Sequence, residues 1–370
     1  METYARPATE NEEMDTMHTR SIHIARIAGA AIAAIVLTAA RAPAQETFEL
    51  AGDAAAVWNL AGSVSISGGG SVVTVVVRRG GTGGDRLDMQ TGPIDLHDGD
   101  VGRVSSLRVV YPGDEITYTG AGSNEVRVRD DGTFYNGDGG RKVKINSDGG
   151  GLDAHADLDV RVPDGSTVLV YLAVGAVEVS NVNGDLTVDV GSADIRATAT
   201  SGSLVLDTGS GDVELDGARG DVVLDTGSGD VDVQSVSDGE LLVDTGSGDV
   251  TGGRISVSSL SVDTGSGDVT LSAVSAPEVM VDTGSGEVSL GFEAGPTDLS
   301  VDTGSGDVSL TLPAAWSGEV ELETSSGDIH SDFRVTVEEM DEDYLRGRIG
   351  EGGGSMEIDT GSGDIKLLKS

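Results

Sequence analysis

The sequence predicts an all-β protein, a parallel β-solenoid (β-helix) of coils about 19 residues long, each holding two short strands. Three observations lead there. The pentapeptide DTGSG occurs seven times, beginning at Asp207, Asp225, Asp244, Asp263, Asp282, Asp302 and Asp359. Aliphatic residues fall at constant offsets from each copy, and no helical periodicity is present after residue 44. Self-similarity at a period near 20 marks stacked repeats, each too small to bury its apolar face alone.

From Asp207 to Asp302 the motif aspartates are 18, 19, 19, 19 and 20 residues apart. Degenerate copies extend the series: DVGSAD starts at Asp189 and ETSSGD at Glu323. With the motif aspartate as position zero, positions −3 and −1 are aliphatic or Met in every copy, as in Leu260 and Val262. Positions +6 and +8 repeat the pattern, as in Val269 and Leu271, although Gly252 and Ser331 break it. Spacings of two mean strands with one buried face. Successive coils should stack in parallel about 4.8 Å apart, around an aliphatic interior a few side chains wide. The crossover rule favours a right-handed coil. The turn TGSG is expected to need positive φ at its glycines. Its Thr and Ser are expected to hydrogen-bond their own backbone or the neighbouring coil.

The elements follow in order. Residues 1–44 read as an N-terminal extension and signal peptide: Arg20 and Arg26 precede a 14-residue uncharged run, Ile27 to Ala40, and Ala42-Pro43-Ala44 offers a cleavage site before Gln45. That run is short of the roughly 20 residues a bilayer span needs. Residues 45–78 read as first solenoid strands forming an N-terminal cap, with Trp58 expected to cover the open end of the core. Residues 79–157 are irregular and Gly/Asp-rich, either a lateral insertion or further long coils, with strand candidates at 106–111, 125–130 and 142–146. Residues 158–370 form the repeat solenoid, with an excursion at 331–354 that covers the side or end of the stack. The final coil, MEIDTGSGDIKLL, is expected to close the stack, with Lys366 and Lys369 blunting its edge.

Composition bounds the partners. With 63 acidic against 23 basic residues the net charge is −40, which argues against nucleic acid and anionic membrane surfaces. There is no cysteine, so neither a disulfide nor a lipid-modified cysteine is available. The expected address is exported: periplasmic, cell-surface or secreted. The expected partner is an envelope protein or a glycan, with self-association through solenoid ends as a further route.

DTGS is also the tetrapeptide that carries the catalytic aspartate of pepsin-like proteases. Those enzymes need two such loops facing each other so that two carboxylates share a proton. Stacked coils instead place the copies side by side, so a corner is expected rather than a catalytic centre. Calcium is the sharper candidate. Asp207, Asp225, Asp244, Asp263 and Asp302 at position zero, with Asp212, Asp230, Asp249, Asp268 and Asp307 at position five, form two acidic columns. Unit charges about 5 Å apart repel by roughly 1 kcal/mol in water, and more where the dielectric is lower. Carboxylates with turn carbonyls suit Ca²⁺. The competing reading is a solvated acidic face, and no copy matches the nonapeptide calcium repeat GGxGxD. No other cofactor is expected. His97, His155 and His330 lie far apart without ligand or triad spacing.

The repeated GDVxL…LxVDTGSGDV, the VRVPDG at 160–165 and the terminal RIGEGGGSMEIDTGSGDIKL together resemble a bacterial domain family labelled "putative adhesin". The resemblance covers residues 160–370 well and 46–78 loosely. It implies an exported β-solenoid attached to or near the envelope, without an established enzyme and without site residues to carry over. The expectation is therefore a non-enzymatic envelope scaffold or adhesion module. Its alternatives are a carbohydrate-active β-helix enzyme, which would need a groove of convergent acids and aromatics, or a self-assembling structural protein.

Overall fold

The computed structural model describes residues 45–96, 102–120, 122–135 and 139–370. Residues 1–44, where a signal peptide is expected, and His97 lie outside the described residues. Gln45–Ser370 forms one compact unit. Its first strands are β1 (Gln45–Leu50), β2 (Ala54–Gly68) and β3 (Val73–Gly80). The next segment holds β4 (Asp88–Asp95), β5 (Arg103–Val110), β6 (Glu115–Thr117), β7 (Asn124–Val128), β8 (Arg141–Asn146) and β9 (Leu152–Asp153). Then come β10 (His155–Val162), β11 (Thr167–Ser180) and β12 (Asp185–Ser201), followed by paired short strands to the C-terminus.

The solenoid is present. β11 lies parallel between β2 and β12, and each half of β12 seeds its own stack. The LxVDT strands pair in parallel from Leu204–Thr208 to Asp298–Thr303, and the DVxL strands from Val213–Arg219 to Val308–Leu312. The register is in phase, so identical motif positions meet: Asp189, Asp207, Asp225, Asp244, Asp263, Asp282 and Asp302 face their counterparts in turn. Inward residues such as Leu206, Leu224, Val243, Val262 and Val281 are buried in a continuous aliphatic core. Burying each such side chain is worth about 1.5–3 kcal/mol.

The motif threonines are buried too. Thr264 Oγ1 donates to Gly248 O of the preceding coil at 3.2 Å and accepts from Gly267 N of its own corner at 3.0 Å. The same pair of bonds recurs at Thr208, Thr226, Thr245, Thr283, Thr303, Thr324 and Thr360. One hydroxyl thereby satisfies two buried backbone groups, a donor and an acceptor, at every seam.

The reason for the corner glycines differs from the expectation. None of the TGSG glycines has positive φ. They are required by contact instead. A Cβ on Gly229, Gly248 or Gly267 would stand 1.8 Å from a carbonyl oxygen of the preceding coil. Positive φ occurs at a second bend, ten residues after the motif aspartate, in Ala199, Gly217, Ser235, Arg254 and Ala273.

The far end also differs. The final coil does not close the stack. Gly354–Thr360 lies between Asp298–Thr303 and Gly318–Thr324, parallel to both. Ile365–Lys369 lies between Val308–Leu312 and Ile329–Ser331. The outermost strands are those of the excursion: Tyr344–Ile349 adds antiparallel to Gly318–Thr324, and Val335–Met340 adds antiparallel to that. Lys366 and Lys369 therefore sit inside the stack rather than on its edge.

At the other end β10 continues the β2 stack in parallel, and β3 and β1 add to it antiparallel. β5 adds parallel to β2, with β4 antiparallel beyond it. β6–β9 form a separate four-stranded sheet, an insertion in the chain between β5 and β10, whereas β4 and β5 extend the main sheet. Trp58 does not plug the core. It is in register with Tyr171 and so with Asp189, which places it on the outward face opposite Val57 and Val170. The insertion covers it there: Trp58 Nε1 donates to Phe134 O at 3.0 Å, and its ring stacks on Tyr171 at 4.8 Å.

Candidate functional site

The two acidic columns run along the same corner but do different things. At position five most carboxylates are part of the backbone scaffold. Asp212 N donates to Asp194 Oδ1 at 3.1 Å, Asp230 N to Asp212 Oδ1 at 3.0 Å, and Asp249 N to Asp230 Oδ1 at 2.9 Å. The ladder continues through Asp268 and Glu287. It runs again from Asp307 to Asp364 to Asp328, in the spatial order of the coils rather than their order in the chain. One oxygen of Asp194, Asp212, Asp230, Asp249, Asp268, Asp307 and Asp364 accepts from the backbone of the next coil. Lys366 Nζ stands 3.4 Å from both Asp307 Oδ2 and Asp364 Oδ2.

The position-zero aspartates point outward and repel one another. Asp244 and Asp282 have carboxyl pKa values raised by partial burial first and by the carboxylates on either side second. The effect is largest at the head of the column. Asp189 is pushed up to about 7, chiefly by burial and then by the Asp207 carboxylate. Asp207 is raised for the same reasons, with Asp225 as its neighbour.

What buries Asp189 is the insertion. Asn124 Nδ2 donates to Ala173 O and to Tyr135 Oη, each at 3.1 Å. A Cβ on Gly191 would lie 1.7 Å from Asn124 Nδ2 and 2.4 Å from Tyr135 Oη, so only glycine admits this contact. Tyr135 as a residue is 40% exposed, but its hydroxyl lies against the coil at Gly191. Its ionisation is pushed up to about 12 by that desolvation and by Asp189 and Asp207, while Asn124 opposes the shift. Sequence reasoning missed Tyr135, Asn124 and Tyr171 as members of this cluster. Tyr135 and Asn124 are 54 and 65 residues from Asp189 and Tyr171 lies in β11, and no local motif ties them to it.

The candidates do not converge into a reaction centre. His155 faces Asp157 at 4.0 Å and His330 faces Asp332 at 3.5 Å, on separate parts of the fold. The DTGS aspartates lie side by side in register, without a facing partner loop. Among the described residues, no group of three or more His, Asp and Glu is close enough together to hold a metal ion. No helix of the described residues is long and apolar enough to cross a membrane.

The outward faces between the corners are flat and repetitive. On the DVxL stack Thr251, Thr270, Ser289 and Ser309 align coil on coil. On the LxVDT stack Leu242, Ser261, Met280 and Ser300 align, with Leu242 and Met280 exposed. The groove beside the excursion is lined by Asp298, Glu319, Glu321, Glu338 and Glu357 together with Arg346.

No curated protein matches the chain. A solved structure described as a "putative cell adhesion protein", from Clostridium sporogenes ATCC 15579, is similar over 89% of this chain and 100% of its own, at 12% identity and a TM-score of 0.19. The family model described as Toastrack DUF4097 matches residues 114–368, which takes in most of the insertion and every DTGSG coil. The chain is a member of the Toastrack DUF4097 family.

Proposed function

We propose that this protein is an exported, non-enzymatic β-solenoid that acts as a cell-envelope scaffold or adhesion module. It would present its flat outward faces to a glycan or an envelope protein. The observation that carries this reading is the in-phase register of the coils. Outward positions of successive coils align about 4.8 Å apart, with like chemistry repeated at Thr251, Thr270, Ser289 and Ser309, so the surface is a periodic array and not a convergent pocket. A periodic array suits a periodic or extended ligand. Catalysis would instead need unlike groups brought together at one point. The net charge of −40 favours neutral or basic partners and disfavours nucleic acid and anionic lipid.

The test is to incubate the purified full chain with a panel of neutral and acidic polysaccharides and with envelope fractions, measuring both retention and new reducing ends. Retention without new reducing ends is expected, and Thr270→Lys together with Ser289→Lys should change which polymer is retained. New reducing ends would replace this reading with a carbohydrate-active enzyme. Retention on nothing in the panel would remove the adhesion role.

A further inference from the structure

The last coil of the chain fills a slot between two coils that precede it in sequence. From Leu312 the chain crosses through 313–317 to Gly318, stepping over one coil position. Trp316 braces this crossing, donating from Nε1 to Pro296 O at 2.9 Å. Residues 354–370 then return to occupy the position left open. Both walls of the slot present strand edges, and the incoming coil satisfies each. Val308 N donates to Asp364 O at 2.9 Å and Gly361 N to Thr303 O at 3.1 Å on one wall. Ile365 N donates to Asp328 O at 3.0 Å on the other. An unfilled slot would leave two facing strand edges, a strong template for any matching strand.

The incoming coil carries its own keys. Lys366 bridges Asp307 and Asp364, while Lys369 Nζ donates to Asp332 O at 2.8 Å and lies 4.9 Å over the Phe333 ring. No other lysine occurs after Lys144, so no other coil of the chain matches these contacts. The tether is short and glycine-rich: Gly350, Gly352 and Gly353 have φ of +66°, +94° and +138°. Two of the outermost strands, by contrast, carry residues that blunt an edge. Pro93 lies on the outermost β4, and the outermost Val335–Met340 carries Glu338 and Glu339.

We propose that this slot is an exchange site for a second copy of the same chain: residues 354–370 of one molecule insert between coils 298–312 and 318–331 of another. Exchange uses the contacts already made within one chain, so it needs no new surface between two strongly acidic molecules. Reciprocal exchange gives a closed dimer, and one-way exchange gives an open string of solenoids. This goes beyond the scaffold reading and does not depend on it.

The chain has no cysteine, so single thiols can report the seam. Ser300 and Glu357 are direct register partners across the slot wall and face outward. Neighbouring strands about 4.8 Å apart place such a pair within disulfide range. Full-length Ser300→Cys and Glu357→Cys variants would be mixed in denaturant, refolded together at high concentration and oxidised. A covalent heterodimer is expected at several-fold higher yield than from Ser261→Cys mixed with Glu357→Cys, since Ser261 lies against Leu242 and Met280 instead. The Ser300→Cys/Glu357→Cys double variant, refolded dilute, should close as a monomer. Equal heterodimer yields from the test and control mixtures would overturn the exchange, and failure of the double variant to close would overturn the seam itself.

Discussion

At the DTGSG corner the glycines have ordinary φ and no room for a side chain. At the bend ten residues after the motif aspartate, the backbone is left-handed and the residues carry side chains. The contrast teaches that a glycine in a repeat can be selected for space rather than for torsion. A Cβ on Gly267 would stand 1.8 Å from Gly248 O, whereas one on Gly217 would find its nearest neighbour at 3.6 Å. The corner brings backbones of adjacent coils together; the bend turns them in open space and tolerates Ala, Ser and Arg in strained torsions.

Breaking the corner should produce the largest effect. Gly267→Ala forces two coils apart in the middle of the stack and is expected to cost about 3 kcal/mol or more, the upper range for overpacking. Denaturant unfolding of the variant measures it. Thr264→Val keeps the shape but strips the Gly267 N–H and the Gly248 carbonyl of their shared partner. About 1–3 kcal/mol should be lost, because buried backbone groups are left unpaired.

The same column compared with and without its cover gives the next test. Asp189 lies under the insertion with its pKa pushed up to about 7, whereas Asp244 lies on the open corner. Since the folded pKa is above the unfolded one, the neutral form is the one the fold prefers. Stability from this group is full below about pH 4 and falls as pH rises toward 7. Asp189→Asn should therefore raise the melting temperature at pH 8 and leave it nearly unchanged at pH 3.5. Asp244→Asn, exposed on the same column, should show a smaller dependence. Equal pH profiles for the two variants would contradict the burial of Asp189.

The bend offers a smaller gain. Ala273→Gly relieves a left-handed alanine at φ 51° and is expected to stabilise by up to about 1 kcal/mol, the left-handed penalty less the entropy cost of glycine. The mirror substitution, Gly217→Ala, should cost a similar amount, far less than Gly267→Ala. Smallest of all should be the response to calcium. With one oxygen of most position-five aspartates already capping the next coil, exchange of EGTA for millimolar calcium should shift the melting temperature no more than magnesium does. A calcium-specific rise would assign the remaining oxygens and the position-zero column as ligands.

Much of this architecture was readable because a repeat states its own registry many times. The offsets of Leu260, Val262, Val269 and Leu271 already define two strands and their inward faces. Thr264 was legible as a turn residue but not as a buried one, because burial depends on the neighbouring corner. Trp58 is expected over the open end of the core but lies on the outward face: β2 is buried on both sides there, so its pattern does not alternate visibly. Asp189 was legible only as the start of a degenerate copy, since Tyr135 and Asn124 meet its coil from a segment with no periodicity.

The sequence by itself determined the coil: its period, its strands, its aliphatic interior and its corner, all set by short-range spacing under the two-residue alternation of a strand. Tertiary structure alone decided the order of the coils. Every seam offers the same backbone ladder and the same Thr–Gly bonds, so local chemistry cannot say which coil follows which. The crossing at Trp316, the glycine tether and the contacts of Lys366 and Lys369 place the last coil inside the stack, and the bonds of the two lysines to Asp307 and Asp332 act across 59 and 37 residues of chain.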